Sequence, residues 1–187
     1  RGSPRAGCVS GSEEAIMRIF VTGGTGFIGT QLVQRLRDTP HELCCLVRDP
    51  GKAQALRYAG ATVVSGDLRD QSSLVDGMQG SDWVVIIANL YEFWVPDRRA
   101  YAEVNVDGTR NLMEAALETG VAKIVHVSTA AVYGNAKWPI REDSTPGPKC
   151  AGEYSRTKRS GDRVAWELFE TRGLPLVMVY PGAVIGP

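Results

Sequence analysis

Short apolar runs recur along the chain, separated by amphipathic stretches, and that alternation is the pattern of a β/α protein. The runs at 18–21, 42–47, 62–65, 83–88, 123–128 and 176–179 are rich in β-branched residues and are predicted strands. Helical spacing is clearest at 30–37, 98–119 and 154–172. Trp83, Val84, Val85, Ile86, Ile87 and Ala88 are apolar in succession rather than alternating. A strand covered by helices on both faces has that composition. The expected fold is α/β: a Rossmann-type doubly wound parallel sheet in three α/β/α layers, with a ligand crevice at the strands' carboxyl ends.

One turn in this pattern carries chemistry. Residues 22–29 read TGGTGFIG, directly after the apolar Ile19, Phe20 and Val21 and before the helical positions Leu32, Val33 and Leu36. Strand, glycine turn and helix in that order are what a dinucleotide-binding unit requires. Gly23 suits the tight turn, Gly26 the close approach of backbone to a pyrophosphate, and Gly29 the packing of helix on strand. The free N–H groups and dipole of the helix start then favour phosphate, with Thr25, Phe27 and Ile28 completing the expected cradle.

Composition narrows the class. Of 187 residues, 43% are hydrophobic and 22% charged, enough for a buried core in one domain. Lys plus Arg and Asp plus Glu stand at 21 each, so there is no electrostatic footprint for nucleic acid or an anionic membrane. No apolar stretch is long enough to span a bilayer. Cys8, Cys44, Cys45 and Cys150 have neither zinc spacing nor the density of a disulfide scaffold, which fits a reducing, cytoplasmic setting. Cys44 and Cys45 should point to opposite faces of one strand. His126, in an apolar strand, and His41, in a polar connection, are too unlike to form a metal pair; His126 is expected to be a satisfied core histidine, and no metal site is expected. Residues 1–16 are Gly/Ser-rich and aperiodic, and are expected to be a disordered or non-native tail before a domain at 17–187.

Six segments together resemble the extended short-chain dehydrogenase/reductases, the group that includes the NAD-dependent epimerase/dehydratases. They are TGGTGFIG (22–29), GDLRD (66–70), NVDGTRN (105–111), VSTAAVYG (127–134), YSRTK (154–158) and YPGAVIGP (180–187). LVRDP (46–50) and the YPG ending are most similar to dihydroflavonol-reductase-like members, while AAVYG also occurs in nucleotide-sugar epimerases. The chain departs from the group at Ile86, where many members carry histidine. The resemblance also implies a second, substrate-binding region after Pro187, so that the C-terminal substrate region is expected to be largely absent.

Tyr154 and Lys158 are four apart and share one face of a helix. A tyrosine hydroxyl ionises near pH 10, and an ammonium beside it should lower that value, making the pair a general acid/base. Thr129 follows the fifth strand, and the resemblance makes it, rather than Ser128, the hydroxyl that holds the substrate oxygen; Ser128 supports it or caps the strand. The implied reaction is reversible hydride transfer between a nicotinamide and a carbonyl or secondary alcohol, with Tyr154 moving the proton. A nucleotide-sugar epimerase and a non-catalytic dinucleotide sensor are the alternatives, and a homodimer is compatible with all three. Dehydratases of the group carry acidic residues after the threonine, whereas here those positions are Ala130 and Ala131. With no nearby carboxylate expected, dehydration is not.

The resemblance further assigns Asp67 and Leu68 to the adenine, with an ordinary turn carboxylate as the other account of Asp67. Ala88 and Pro181 fall beside the nicotinamide half. Asn105 is a cofactor contact or a structural hydrogen bond, and Lys158 also holds the nicotinamide ribose. Asp49 lies at the distance where NAD sites place a ribose-binding carboxylate. It also precedes Pro50, as a helix N-cap does, leaving Arg48 to meet a 2′-phosphate. NADP(H) is therefore the expected preference, with NAD(H) as the alternative. Tyr91, Glu92, Phe93 and Trp94 line a substrate pocket or pack against a neighbour or a missing domain.

Overall fold

The computed structural model describes residues 15–92 and 95–186. Residues 1–14, which include Cys8 and most of the expected tail, lie outside the described residues, as do Phe93, Trp94 and Pro187. Six parallel strands form one sheet: β1 (Arg18–Thr22), β2 (Glu42–Val47), β3 (Thr62–Ser65), β4 (Trp83–Ile86), β5 (Lys123–Val127) and β6 (Leu176–Val179). Their order is β3-β2-β1-β4-β5-β6, with Phe20 opposite Cys44 on one side and Val84 on the other. The order in which strands are added reverses between β1 and β4, the point at which doubly wound sheets open a crevice.

Helices cover both faces because the strands are apolar on both. Phe20, Cys44, Val84, Ile86 and Ile124 pack under α3 (Gln71–Met78), α5 (Gly108–Thr119) and α6 (Glu153–Arg172). On the other face, Ile19, Val21, Cys45 and Val85 meet Val33 of α1 (Phe27–Leu36) and Leu56 of α2 (Gln54–Tyr58). Cys44 and Cys45 thus enter opposite layers, as their adjacency in a strand requires. Each fully buried Phe or Leu contributes about 1.5–3 kcal/mol by leaving water.

Most boundaries fall within a residue of the sequence reading, and three larger differences have structural reasons. β4 stops at Ile86: Ile87 N still makes the last ladder bond, to Thr22 O (3.2 Å), but Ala88 N turns to the Thr22 hydroxyl (3.3 Å) instead of a neighbouring strand's carbonyl. α1 begins three residues earlier than the apolar spacing indicates, straight out of the glycine turn. The long helix at 98–119 is interrupted: α4 (Arg99–Ala102) leads into a π-helical turn, Glu103–Asp107, before α5. That turn is held by the side chain of Asn105 and lies where Gly161 of α6 crosses; a Cβ on Gly161 would stand 2.2 Å from Asn105 O. Among the described residues no helix is long and apolar enough to cross a membrane.

Candidate active site

The glycine turn is built by close approach. Gly23 has φ +76°, and a Cβ there would lie 2.6 Å from Ala88 N, so the ends of β1 and β4 touch backbone to backbone. A Cβ on Gly29 would lie 2.0 Å from Gly23 O, which keeps the first turn of α1 tight against the loop. Gly26 is different. Its Cβ would meet only Gly23 O, at 3.3 Å, and otherwise points into open space. The N-cap of α1 is Gly26 itself, with no side-chain cap and no acidic residue in the first turn. Uncapped N–H groups beside open space fit a diphosphate, which would take those donors and lie on the positive end of the helix dipole.

From this turn a cleft of about 1850 Å³ runs along the carboxyl ends of the strands. Gly23, Thr25, Gly26, Phe27 and Ile28 form one wall; Arg48, Asp67 and Leu68 lie beyond β2 and β3, and Ala88, Thr129, Tyr154 and Pro181 beyond the remaining strands. These are twelve of the fifteen residues that the sequence reading assigned to catalysis or to its preferred cofactor site. Gly29, Asn105 and Lys158 are not on the wall.

Tyr154, in the first turn of α6, stands at the cleft, its ring 4.7 Å from that of Tyr91 in an edge contact at 69°. Burial pushes its hydroxyl above the ordinary tyrosine value, the Tyr91 phenol adds to the rise, and the Thr129 side chain opposes it. Thr129 is in extended conformation after β5 and accepts from Ala131 N (3.2 Å), starting the 3₁₀ turn Ala130–Tyr133. Ser128 lines the cleft too, but its hydroxyl donates inward to Asp162 Oδ2 (2.6 Å). The two adjacent hydroxyls therefore have separate partners, which spacing alone left open.

A family model, described as the NAD dependent epimerase/dehydratase family, matches residues 19–187. The chain belongs to that family. It is 34% identical over 171 residues to a putative dihydroflavonol 4-reductase of Synechocystis, covering 90% of this chain and 49% of that protein. It is 29% identical to an N-acetyl-alpha-D-glucosaminyl-diphospho-ditrans,octacis-undecaprenol 4-epimerase of Escherichia coli O157:H7, covering 90% and 49%. A solved UDP-glucuronic acid 4-epimerase of Bacillus cereus in complex with NAD superposes with a TM-score of 0.79 at 28% identity, covering 91% of this chain and 58% of that one. The chain thus spans about half the length of these epimerase/dehydratase-family relatives. It is an extended short-chain dehydrogenase/reductase with that group's Rossmann sheet, and the family depends on a nicotinamide dinucleotide.

Several expectations for this family member need correction. Asn105 is not available to a cofactor: it is 2% exposed, its Oδ1 accepts from Leu90 N (2.8 Å), and its Nδ2 donates to Leu90 O (3.1 Å) and Thr157 Oγ1 (3.2 Å). It ties the loop after β4 to α6, the structural alternative. Lys158 sits behind the wall at 2% exposure and donates to Val127 O (3.1 Å), and it is burial rather than the ammonium that governs Tyr154. His126 is buried, yet neither ring nitrogen has a hydrogen-bond partner; Nε2 stops 3.6 Å from Asp162 Oδ1. Besides Asp67, carboxylates do line the cleft, namely Glu92 after β4 and Glu153 next to Tyr154 in sequence, although Glu153 is clasped by Arg156.

At the far end of the cleft Asp49 does act as an N-cap, accepting from Gly51 N (2.9 Å) at the start of the 3₁₀ turn Pro50–Lys52. Asp67 is both cleft lining and turn carboxylate. It takes a forked pair from Arg69 (2.9 and 2.8 Å) and is held at about 2, chiefly by that bond, with Arg48 contributing at longer range. The residue that sequence reasoning missed is Asp162. Its signal was a carboxylate four positions after Lys158, on the inward face of α6.

Proposed function

We propose that the chain carries the dinucleotide site and the proton-transfer residues of an NAD(P)-dependent oxidoreductase of the dihydroflavonol-reductase-like kind, acting on a carbonyl or secondary alcohol. The observation that carries this reading is the convergence of Thr129 and Tyr154 on the cleft whose other wall is the glycine turn. When bound, the nicotinamide supplies or accepts the hydride. Thr129 orients the substrate oxygen, and Tyr154 Oη gives that oxygen its proton in reduction or removes it in oxidation. A phenol held above its ordinary ionisation range is protonated at neutral pH, the form required for reduction. A pure redox sensor has no use for this pair beside the cleft.

The same residues serve a nucleotide-sugar epimerase, which regenerates its cofactor. The deciding experiment supplies NADPH with a panel of carbonyl compounds and, separately, nucleotide sugars, following cofactor absorbance and product. Net NADPH loss with a carbonyl supports reduction. Epimer formation with no net loss overturns it.

No dehydration is expected. Ala130 and Ala131 offer no acid, and Arg156 keeps Glu153 below the usual carboxylate range, hence ionised and unable to protonate a leaving hydroxyl. Mass spectrometry of nucleotide-sugar incubations checks this; a 4-keto-6-deoxy product would contradict it.

NADP(H) is the proposed preference. Arg48 is exposed at the cleft edge just after β2, while Asp49 is turned to its cap. A guanidinium there can clasp a 2′-phosphate through charge-assisted bonds. Replacing Arg48 by Ala should weaken NADPH binding about tenfold, as expected for losing a charge-assisted hydrogen bond of about 1.5–3 kcal/mol, and leave NADH within about twofold. Equal losses for both in titration calorimetry would return the ribose to Asp49.

A further inference from the structure

Among the described residues, Lys158 and Asp162 are the only Lys, Arg, Asp or Glu side chains that are buried, at 2% and 5% exposure. They lie one helical turn apart on the face of α6 that meets the sheet, so opposite charges share one dry layer. An ammonium has three donors, and Lys158 has one hydrogen bond, to Val127 O. Left alone, such a charge is strongly disfavoured; with a carboxylate one turn away it is compensated. Asp162 reaches the sheet through two further residues of β5 and its end. Ser128 donates to Oδ2 at 2.6 Å, and Oδ1, which has no hydrogen bond, faces the unpartnered Nε2 of His126 at 3.6 Å. His126, Ser128, the Val127 carbonyl and Thr129 are consecutive along the strand end that borders the cleft.

We propose that Asp162 is the buried counter-ion of Lys158 and, through Ser128 and His126, the positioning residue that fixes the end of β5 beneath Thr129 and Tyr154. Asp162 touches no substrate or cofactor position; it acts through its neighbours. The titratable groups within its field are Lys158 and Tyr154 on α6, His126 on β5, Tyr133 in the 3₁₀ turn and Tyr180 after β6. Burial and the Lys158 charge both keep His126 neutral, so the ring brings no second cation to Asp162. The layer is then balanced: one cation, one anion and a neutral ring. Burial pulls Lys158 down from its ordinary value while Asp162 pulls it up. Removing the carboxylate charge must therefore lower the pH at which Lys158 loses its proton.

The inference rests on the proposed reaction only for the meaning of the site, and its test reads ionisation rather than turnover, so the two fail separately. In the 187-residue chain, the side-chain carbon resonances of Lys158 are followed against pH by NMR in the native protein and in Asp162→Asn, Asp162→Glu and Ser128→Ala. The Asn variant keeps an oxygen for the Ser128 hydroxyl and loses only the charge. Its Lys158 midpoint is expected to fall by at least about one pH unit, a tenfold change in proton affinity. Asp162→Glu should restore it, and Ser128→Ala should leave it near the native value. A midpoint in folded Asp162→Asn equal to native would overturn the proposal and leave Asp162 as a helix-to-sheet tie. Should that variant fail to fold, the native chain decides. Lys158 must be an ammonium at pH 7, and a neutral amine there would refute the counter-ion role.

Discussion

Replacing Tyr154 by Phe should lower turnover by roughly 10² to 10⁴, the loss expected for a general acid/base, while dinucleotide affinity stays within about twofold. The ring survives in the variant, so its edge contact with Tyr91 and its place at the head of α6 are retained. Only the hydroxyl facing Thr129 is lost. Lys158→Met should behave differently, reducing turnover and also disturbing the fold locally, because it deletes the bond to Val127 O and leaves the Asp162 carboxylate buried without its cation. Steady-state kinetics with a parallel binding titration separates the two. Native turnover in Tyr154→Phe would remove this residue from the mechanism.

Gly29→Ala should be strongly damaging for a single-methyl change. Its Cβ would fall 2.0 Å from Gly23 O and 2.7 Å from Gly24 Cα, both backbone, so no rotamer change relieves the overlap. Either α1 separates from the turn or the turn opens. Overpacking of this kind costs about 1–3 kcal/mol and more when the backbone cannot move, a large part of the 5–15 kcal/mol that holds a typical domain. Dinucleotide affinity should fall with stability, because the displaced turn is the one that presents the free N–H groups. Gly26→Ala is the informative contrast. With 3.3 Å to Gly23 O and open space beyond, it should leave thermal stability nearly native but obstruct the cleft. Equal melting temperatures for native and Gly29→Ala would contradict this account of the turn.

The strand pattern, the parallel sheet and the glycine turn were legible in the sequence because each depends on local composition. A run such as Trp83–Ile86, apolar on both faces, has few folds open to it, and Asp49 before Pro50 announces its cap without help from distant residues. The candidate site was legible as a set of types at the ends of strands, for the same reason. Side-chain direction was not. Asn105 is occupied because Leu90 and Thr157 come to it from 15 and 52 positions away, and no local rule brings them there. Ser128 and Thr129 are chemically alike and adjacent. Only the docking of α6 against β5, which presents Asp162 to one of them and Tyr154 to the other, gives them different partners. Lys158 keeps the helical spacing that sequence assigned, yet its charge is buried beside Asp162 and turned to a strand carbonyl. Periodicity places a residue on a face; what that face meets, and therefore which charges are desolvated and paired, is fixed only when helix and sheet close on each other.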